Sequence, residues 1–405
     1  MSAVPLGPVY VRLWSATALS NVGDGIRAAA FPLLAAGLTS SPVLVTGVAV
    51  AGQLPGLLFG LVAGVIADRV DRRVLVLAMD VVRTVLLAGL VALIATGHAT
   101  IWAVFAVVFA SGLASVLRDA TASTLLPSIV GSDQLDRANG RMVTAEIAGN
   151  EFIGPPLGGY LFGIAVALPF AVNGGTMAIA AALMASIPAL LQPRTTVADG
   201  APRPTLVADL RSGFGWLIGR REVLAVPVTS VALAMTDSAW FTLLVLYLRD
   251  VLGLPGFWFG VMLAIGAVGG LTGGLLAARI GRAIGLRRTI VGSLLVAAAG
   301  QLALGMTSST VLTAVVLATS SLVFAVWNVA ARTLIQCRTP LELLGRITSI
   351  TRTVITAASI LGALLGGIVA QHLGLHAPFL LGVPLLLTAT AIGWWALRPP
   401  PGQRL

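Results

Sequence analysis

Apolar residues in this chain come in long unbroken runs, not in alternation. From residue 12 to residue 397 apolar stretches of about 18 or more positions follow one another, each long enough to cross roughly 30 Å of hydrocarbon as a helix. Membrane barrels need only roughly ten-residue alternating strands, and in lipid every backbone polar group must be paired within the fold. The pattern therefore predicts an all-α membrane protein. Twelve spans are expected, at 12–37, 43–67, 74–97, 101–126, 138–163, 166–191, 223–248, 256–279, 287–306, 309–333, 343–370 and 376–397.

Composition agrees. Of 405 residues, 57% are hydrophobic and only 10% charged, and the mean hydropathy is +0.98. The net charge of +10 would suit a nucleic-acid binder in a soluble chain, but here the basic residues sort by loop. Arg69, Arg72, Arg73, Arg137, Arg141, Arg279, Arg282, Arg287, Arg288, Arg338 and Arg346 fall on one side with both termini, while the opposite loops carry Arg249 alone. Because basic loops mark the cytoplasmic face, the reading is a multi-pass inner or plasma membrane protein with cytoplasmic termini and no nucleic-acid partner. The first apolar stretch is long and contains Asp24, so it is expected to be a retained helix rather than a cleaved leader.

The longest polar segment, 192–222, separates six spans (1–191) from six (223–405) and reads as a cytoplasmic linker whose part at 205–218 could lie on the membrane as an amphipathic helix. The halves also share sequence. At a shift of 210 residues "GVIADRVDRR" (64–73) lies over "GLLAARIGRA" (274–283), and at almost the same shift "STLLP" (123–127) lies over "RTLIQ" (332–336). Two six-helix bundles related by pseudo-symmetry are an architecture of secondary transporters, with the substrate site near the midplane.

Gly64, Asp68, Arg69, Arg72 and Arg73 resemble the loop 2–3 signature of the major facilitator superfamily, and 274–282 occupies the equivalent loop 8–9. The resemblance covers essentially the whole chain and implies a transporter that works by alternating access, with this loop as a cytoplasmic gate latch. "GPPLGG" (154–159) resembles the core of the motif associated with the family's drug/proton antiporters, which gives Gly154, Pro155, Gly158 and Gly159 a helix-contact role. The earlier glycine of that motif's spacing falls on Asn150, with Gly149 one residue before it. "SNVGDGI" (20–26), "LPGLLFGLVAGVIADRVDRR" (54–73) and "LLGRITSI" (343–350) look most like the branch containing macrolide-efflux proteins and the enterobactin exporter.

An ionised side chain deep in a bilayer costs at least ~2.5–3.5 kcal/mol, which makes each intramembrane carboxylate a functional candidate. Asp24 and Asp237 lie at similar depth on the first and seventh spans, and Glu151 and Glu146 lie on the fifth. All four are candidates for proton coupling. Asp24 has a second reading, as a local pair with Arg27 one turn on. Arg118 and Asp119 on the fourth span are expected to pair across the gate with Asp80, Arg83 or the 64–73 loop, the alternative being a proton-relay role for the arginine, whose position in this helix loosely resembles the family's proton-transfer residue. Asn21, Arg27, Gln53, Asn173, Trp240, Trp327 and Asn328 are candidates for a substrate cavity, or else packed interhelical contacts.

Three histidines near outer loops and one cysteine offer no metal-ligand set, and no phosphate-cradling Gly-Lys-Ser/Thr loop is present. No nucleophile–base set suggests an enzyme. The expected function is export of an amphiphilic small molecule by a monomer embedded in the lipid bilayer, driven by the proton gradient with no cofactor. The alternatives are a lysophospholipid or other lipid translocator of the same fold, and a membrane sensor that does not transport.

Overall fold

In the computed structural model the described residues are 6–131, 134–187 and 214–398, and they contain helices and connecting turns but no strand. The helices are α1 (Pro8–Leu38), α2 (Pro42–Arg69), α3 (Arg72–Ala95), α4 (Ile101–Ile129), α5 (Leu135–Ile147), α6 (Gly154–Ile164), α7 (Leu168–Ala185), a short α8 (214–218), α9 (Arg221–Leu246), α10 (Phe257–Ile284), α11 (Leu286–Met306), α12 (Thr310–Arg338), α13 (Leu341–Leu373) and α14 (Ala377–Ala396). Ten stretches among the described residues are long and apolar enough to cross a membrane. The polar-bearing α1 and the interrupted α5–α6 column complete the twelve crossings that the pattern predicts. Helices outlast their apolar runs: α10 and α12 continue to Ile284 and Arg338, where the expected ends were 279 and 333.

Packing divides the chain into two compact units, one of Met1–Val197 with Leu254–Ala264, the other of Ala198–Gly253 with Ile265–Leu405. Within each, the same pairs of helices meet. In the first, α1 packs on α7 and α6, and α3 on α4 and α7; in the second, α9 packs on α14 and α13, and α11 on α12 and α14. The repeat suggested by the loop sequences thus extends to the packing order. The segment 188–213, which holds most of the expected linker, lies outside the described residues. Its sequel α8 belongs to the second unit, where Leu217 is buried among Val223, Ile347 and Leu397.

Small residues set the closest approaches, as expected where lipid removes the hydrophobic drive between helices. A Cβ at Gly362 would meet the Met235 carbonyl, and one at Gly273 the Leu322 carbonyl. A further glycine seam joins α1 to the α5–α6 column. Here the helix widens into a π turn at Ala148–Ile153, immediately before Pro155 and Pro156. Neither proline can donate an N–H, and the backbone closes instead with a five-residue bond from the Gly154 N–H to the Gly149 carbonyl.

Candidate functional site

Two polar constellations stand inside the units. In the first unit α1, α3 and α4 bring together three arginines and three aspartates. Asp24 accepts from Arg27 Nε at 2.8 Å and also from the Arg83 guanidinium. Arg83 donates onward to Ser20 Oγ at 3.2 Å, and Arg27 reaches Ser115 Oγ at 3.2 Å. Arg118 Nε donates to Asp80 at 2.7 Å, and its Nη1 to Asp119 at 3.3 Å. Asp80 is fully buried and Arg83 and Arg118 are 1% exposed, whereas Asp119 is 63% exposed. An unpaired arginine in hydrocarbon would be costly, and here each buried one sits against a carboxylate.

Both readings of Asp24 have to be set against this geometry. The helical i,i+3 pair with Arg27 exists, and Arg83, fifty-nine positions away, is a second partner. Arg118 pairs with Asp80, one of the partners expected for it, while Arg83, grouped with the gate residues, turns to α1 instead.

In the second unit the arrangement is different. Asp237 on α9 borders a cavity of about 30 Å³, enough for a water molecule. Trp240, Phe324, Trp327, Leu233 and Val323 form its apolar wall, and Thr236, Ser293, Gln301 and Ser320 its polar positions. Trp240 Nε1 donates to Asp237 Oδ1 at 3.0 Å, one turn along the same helix. No arginine pairs with Asp237 among the described residues. Trp327 lies nearly parallel to Phe324, with ring centroids 6.4 Å apart, and its buried Nε1–H has no protein acceptor there. Aromatic faces, one carboxylate and an uncommitted donor are the equipment of a small-molecule site.

The other candidates separate. Asn173 is fully buried, its amide wedged against the α1 backbone at Gly23 and lacking hydrogen-bond partners among the described residues; Asn21 is buried near Gly149. Gln53 and Asn328 are half-buried and outside the Asp237 cavity. Glu146 is exposed on α5, and Glu151 is exposed on the π turn while Gly149 of the same turn is buried. Of the loop signature, the side chains of Gly64, Asp68 and Arg69 lie outside the described residues. Arg72 is half-buried at the start of α3. Arg73 anchors the end of α7, donating to the Met184 carbonyl at 3.3 Å and to that of Ala185, and Asp71 caps α3 through the Arg73 and Val74 N–H groups.

The glycines of "GPPLGG" do make helix contacts. A Cβ on Gly154 would strike Gly25, and one on Gly158 the Ile26 carbonyl, while Gly159 faces Gly260 within the same unit. Gly149, one position off the expected spacing, nevertheless packs on α1, where an added Cβ would lie 2.9 Å from the Asn21 Cβ. The π turn explains this. Five residues of α-helix rotate by about 140° out of register, and the wider turn rotates less per residue, returning Gly149 to the α1 side.

Sequence reasoning missed Gln301, Ser293, Ser320 and Phe324 in the cavity wall. Gln301 had the same signal that singled out Gln53, an amide inside an apolar run; the serines had none, since hydroxyls are common in such helices.

Comparison with known proteins agrees with the fold. The family model described as transmembrane secretion effector matches residues 3–402. The multidrug efflux pump Tap of Mycolicibacterium fortuitum is 29% identical over 404 residues, covering 96% of this chain and 95% of that protein. Among solved structures, a bacterial homologue of the iron transporter ferroportin superposes with a TM-score of 0.75 at 17% identity, covering 98% of this chain and 100% of the other. The nucleoside transporter NupG gives 0.72 at 12% identity, covering 97% and 100%. A bacterial homologue of the human lysosomal transporter Spinster gives 0.71 at 12% identity, covering 96% of each chain. With the family model matched from end to end and the helix-packing order repeated in both halves, the chain belongs to the transmembrane secretion effector family of major facilitator superfamily transporters and is not an enzyme.

Proposed function

We propose that this transporter exports an amphiphilic small molecule across the plasma membrane in exchange for protons, and that Asp237 is the proton-carrying group. The observation behind this reading is the Asp237 carboxylate bordering an aromatic cavity with no arginine paired to it among the described residues, in contrast to a first unit in which buried Arg83 and Arg118 each have a carboxylate. A carboxylate in such a place is tolerable as the neutral acid, or as the anion while a cation or water compensates it. The Trp240 N–H can donate to either form, because both a carboxylate and a carboxylic acid present an acceptor oxygen. This contact orients Asp237 without fixing its protonation, as a proton carrier requires.

Asp24 takes a packing role in this scheme. With two arginines on it, gaining a proton would forfeit both ion pairs. The name of the Tap relative, a multidrug efflux pump, supports outward transport of drug-like compounds. The loop 2–3 signature and the arginine-rich turns support cytoplasmic termini, and the α1–α6 glycine seam supports an antiporter-type helix contact.

The test is transport in proteoliposomes under an imposed pH gradient, with a macrolide and a lipophilic dye as probes. Uphill substrate movement against a downhill proton gradient, abolished in Asp237→Asn, is expected. Wild-type flux that ignores the gradient would sink the antiport reading.

A further inference from the structure

One rim of the second unit carries a concentration of arginine and tryptophan that the transport site does not use. The starts of α9 and α11 and the end of α14 meet there, because α14 packs on both other helices. Three guanidinium groups lie over indole rings: Arg287 over Trp394 at 3.6 Å, Arg220 over Trp216 at 4.7 Å and Arg221 over Trp395 at 5.9 Å. Arg288 and Arg398 add like charge beside Arg287.

Protein acceptors are scarce on this rim. Arg287 Nη2 donates to the Trp394 carbonyl at 3.0 Å, but its enclosed Nε has no partner among the described residues. Glu222, the acidic residue in the first turn of α9, is held by Arg338 at 3.2 Å. The rim of the first unit differs, since Arg12 and Arg73 there donate to the carbonyls that end α7. Like charges are thus gathered beside one another, and none of Arg220, Arg221, Arg287, Arg288 and Arg398 has a carboxylate partner among the described residues.

We infer that this rim binds the phosphate headgroup of an anionic phospholipid. Guanidinium groups match phosphate oxygens with paired N–H donors, and stacking on indole holds the fork flat while leaving its edge open. The apolar surround selects a lipid over a soluble anion. Trp394 and Trp395 are 42% and 57% exposed, and Phe214 and Ile218 of α8 are open beside Arg220, offering indole and alkyl surface to the acyl-chain boundary. Juxtamembrane arginines attract anionic lipid by about five-fold in affinity each, and tryptophan anchors at the same level.

Native mass spectrometry of the full-length protein, purified with a defined mixture of phosphatidylglycerol and phosphatidylcholine, tests this. The wild type is expected to retain phosphatidylglycerol preferentially, and Arg287→Gln to lose that preference. Arg398→Gln, a substitution beyond the end of α14 and outside the stacks, is expected to weaken retention about five-fold without affecting folding. Equal retention of the two lipids, or full preference in a correctly folded Arg398→Gln and Arg287→Gln pair, would overturn the inference. So would inorganic phosphate that displaces the lipid or raises the melting temperature as much as phosphatidylglycerol does, since that would make the rim a soluble-anion site.

Discussion

The two units bury charge in opposite ways. In the first, Arg83 and Arg118 are interior side chains neutralised by Asp24 and Asp80 across three helices. In the second, Asp237 stands among tryptophans, with an indole N–H for company and no cation among the described residues. A network of mutually satisfied charges is costly to disturb and therefore holds helices in place. A lone carboxylate holds little together, but it can change its charge state without breaking a frame. Under the proposed function, helices that pack in the same order serve different duties, fixation in one half and titration in the other.

That contrast is most directly broken at Asp237. Asp237→Asn should reduce pH-gradient-driven flux to the level of protein-free vesicles while changing thermal stability by no more than about 1 kcal/mol; persistent coupled flux would remove the titrating half of the contrast. Asp24→Asn should behave in the reverse manner, costing about 3–5 kcal/mol because Arg83 is left buried without its anion. Adding Arg83→Met should restore part of the loss, read as a melting temperature between those of the single variant and the wild type. If Asp24→Asn melts like the wild type, the network is not the fastening described here.

Gly158→Val probes the framework without touching charge. The new side chain meets the Ile26 carbonyl, and overpacking of this kind costs typically 1–3 kcal/mol. The smallest effect is expected from Trp327→Phe, which removes an N–H that has no protein acceptor among the described residues and keeps an aromatic face against Phe324. Stability should shift by under about 1 kcal/mol, and any weakening of substrate binding, measured by fluorescence titration, would report that the substrate uses this donor.

Sequence reasoning reached the architecture because its causes are local to each span. Apolar length sets the crossings, loop arginines suggest their orientation, and a shift of 210 residues exposes the duplication. The Asp24–Arg27 pair was legible for a similar reason, since one helical turn joins them. Arg83 was not placed correctly, because its choice between Asp24 and other carboxylates depends on which face of α3 meets α1. The cavity beside Asp237 was half legible: Trp240 and Trp327 stand out as aromatic residues in apolar runs, but Gln301 and the serines become partners only when α11 and α12 close on α9.

The π turn has a consequence for the spacing of the glycines on either side of it. A helix whose flanks are pinned on both sides can absorb one inserted residue only by widening a turn, and α5–α6 is pinned by Gly149 before the turn and by Gly154 and Gly158 after it. The π turn thus lets Gly149, Gly154 and Gly158 all meet α1, with the helix seam continuous across it. Removing Asn150 should straighten the column into an uninterrupted α-helix that keeps the seam.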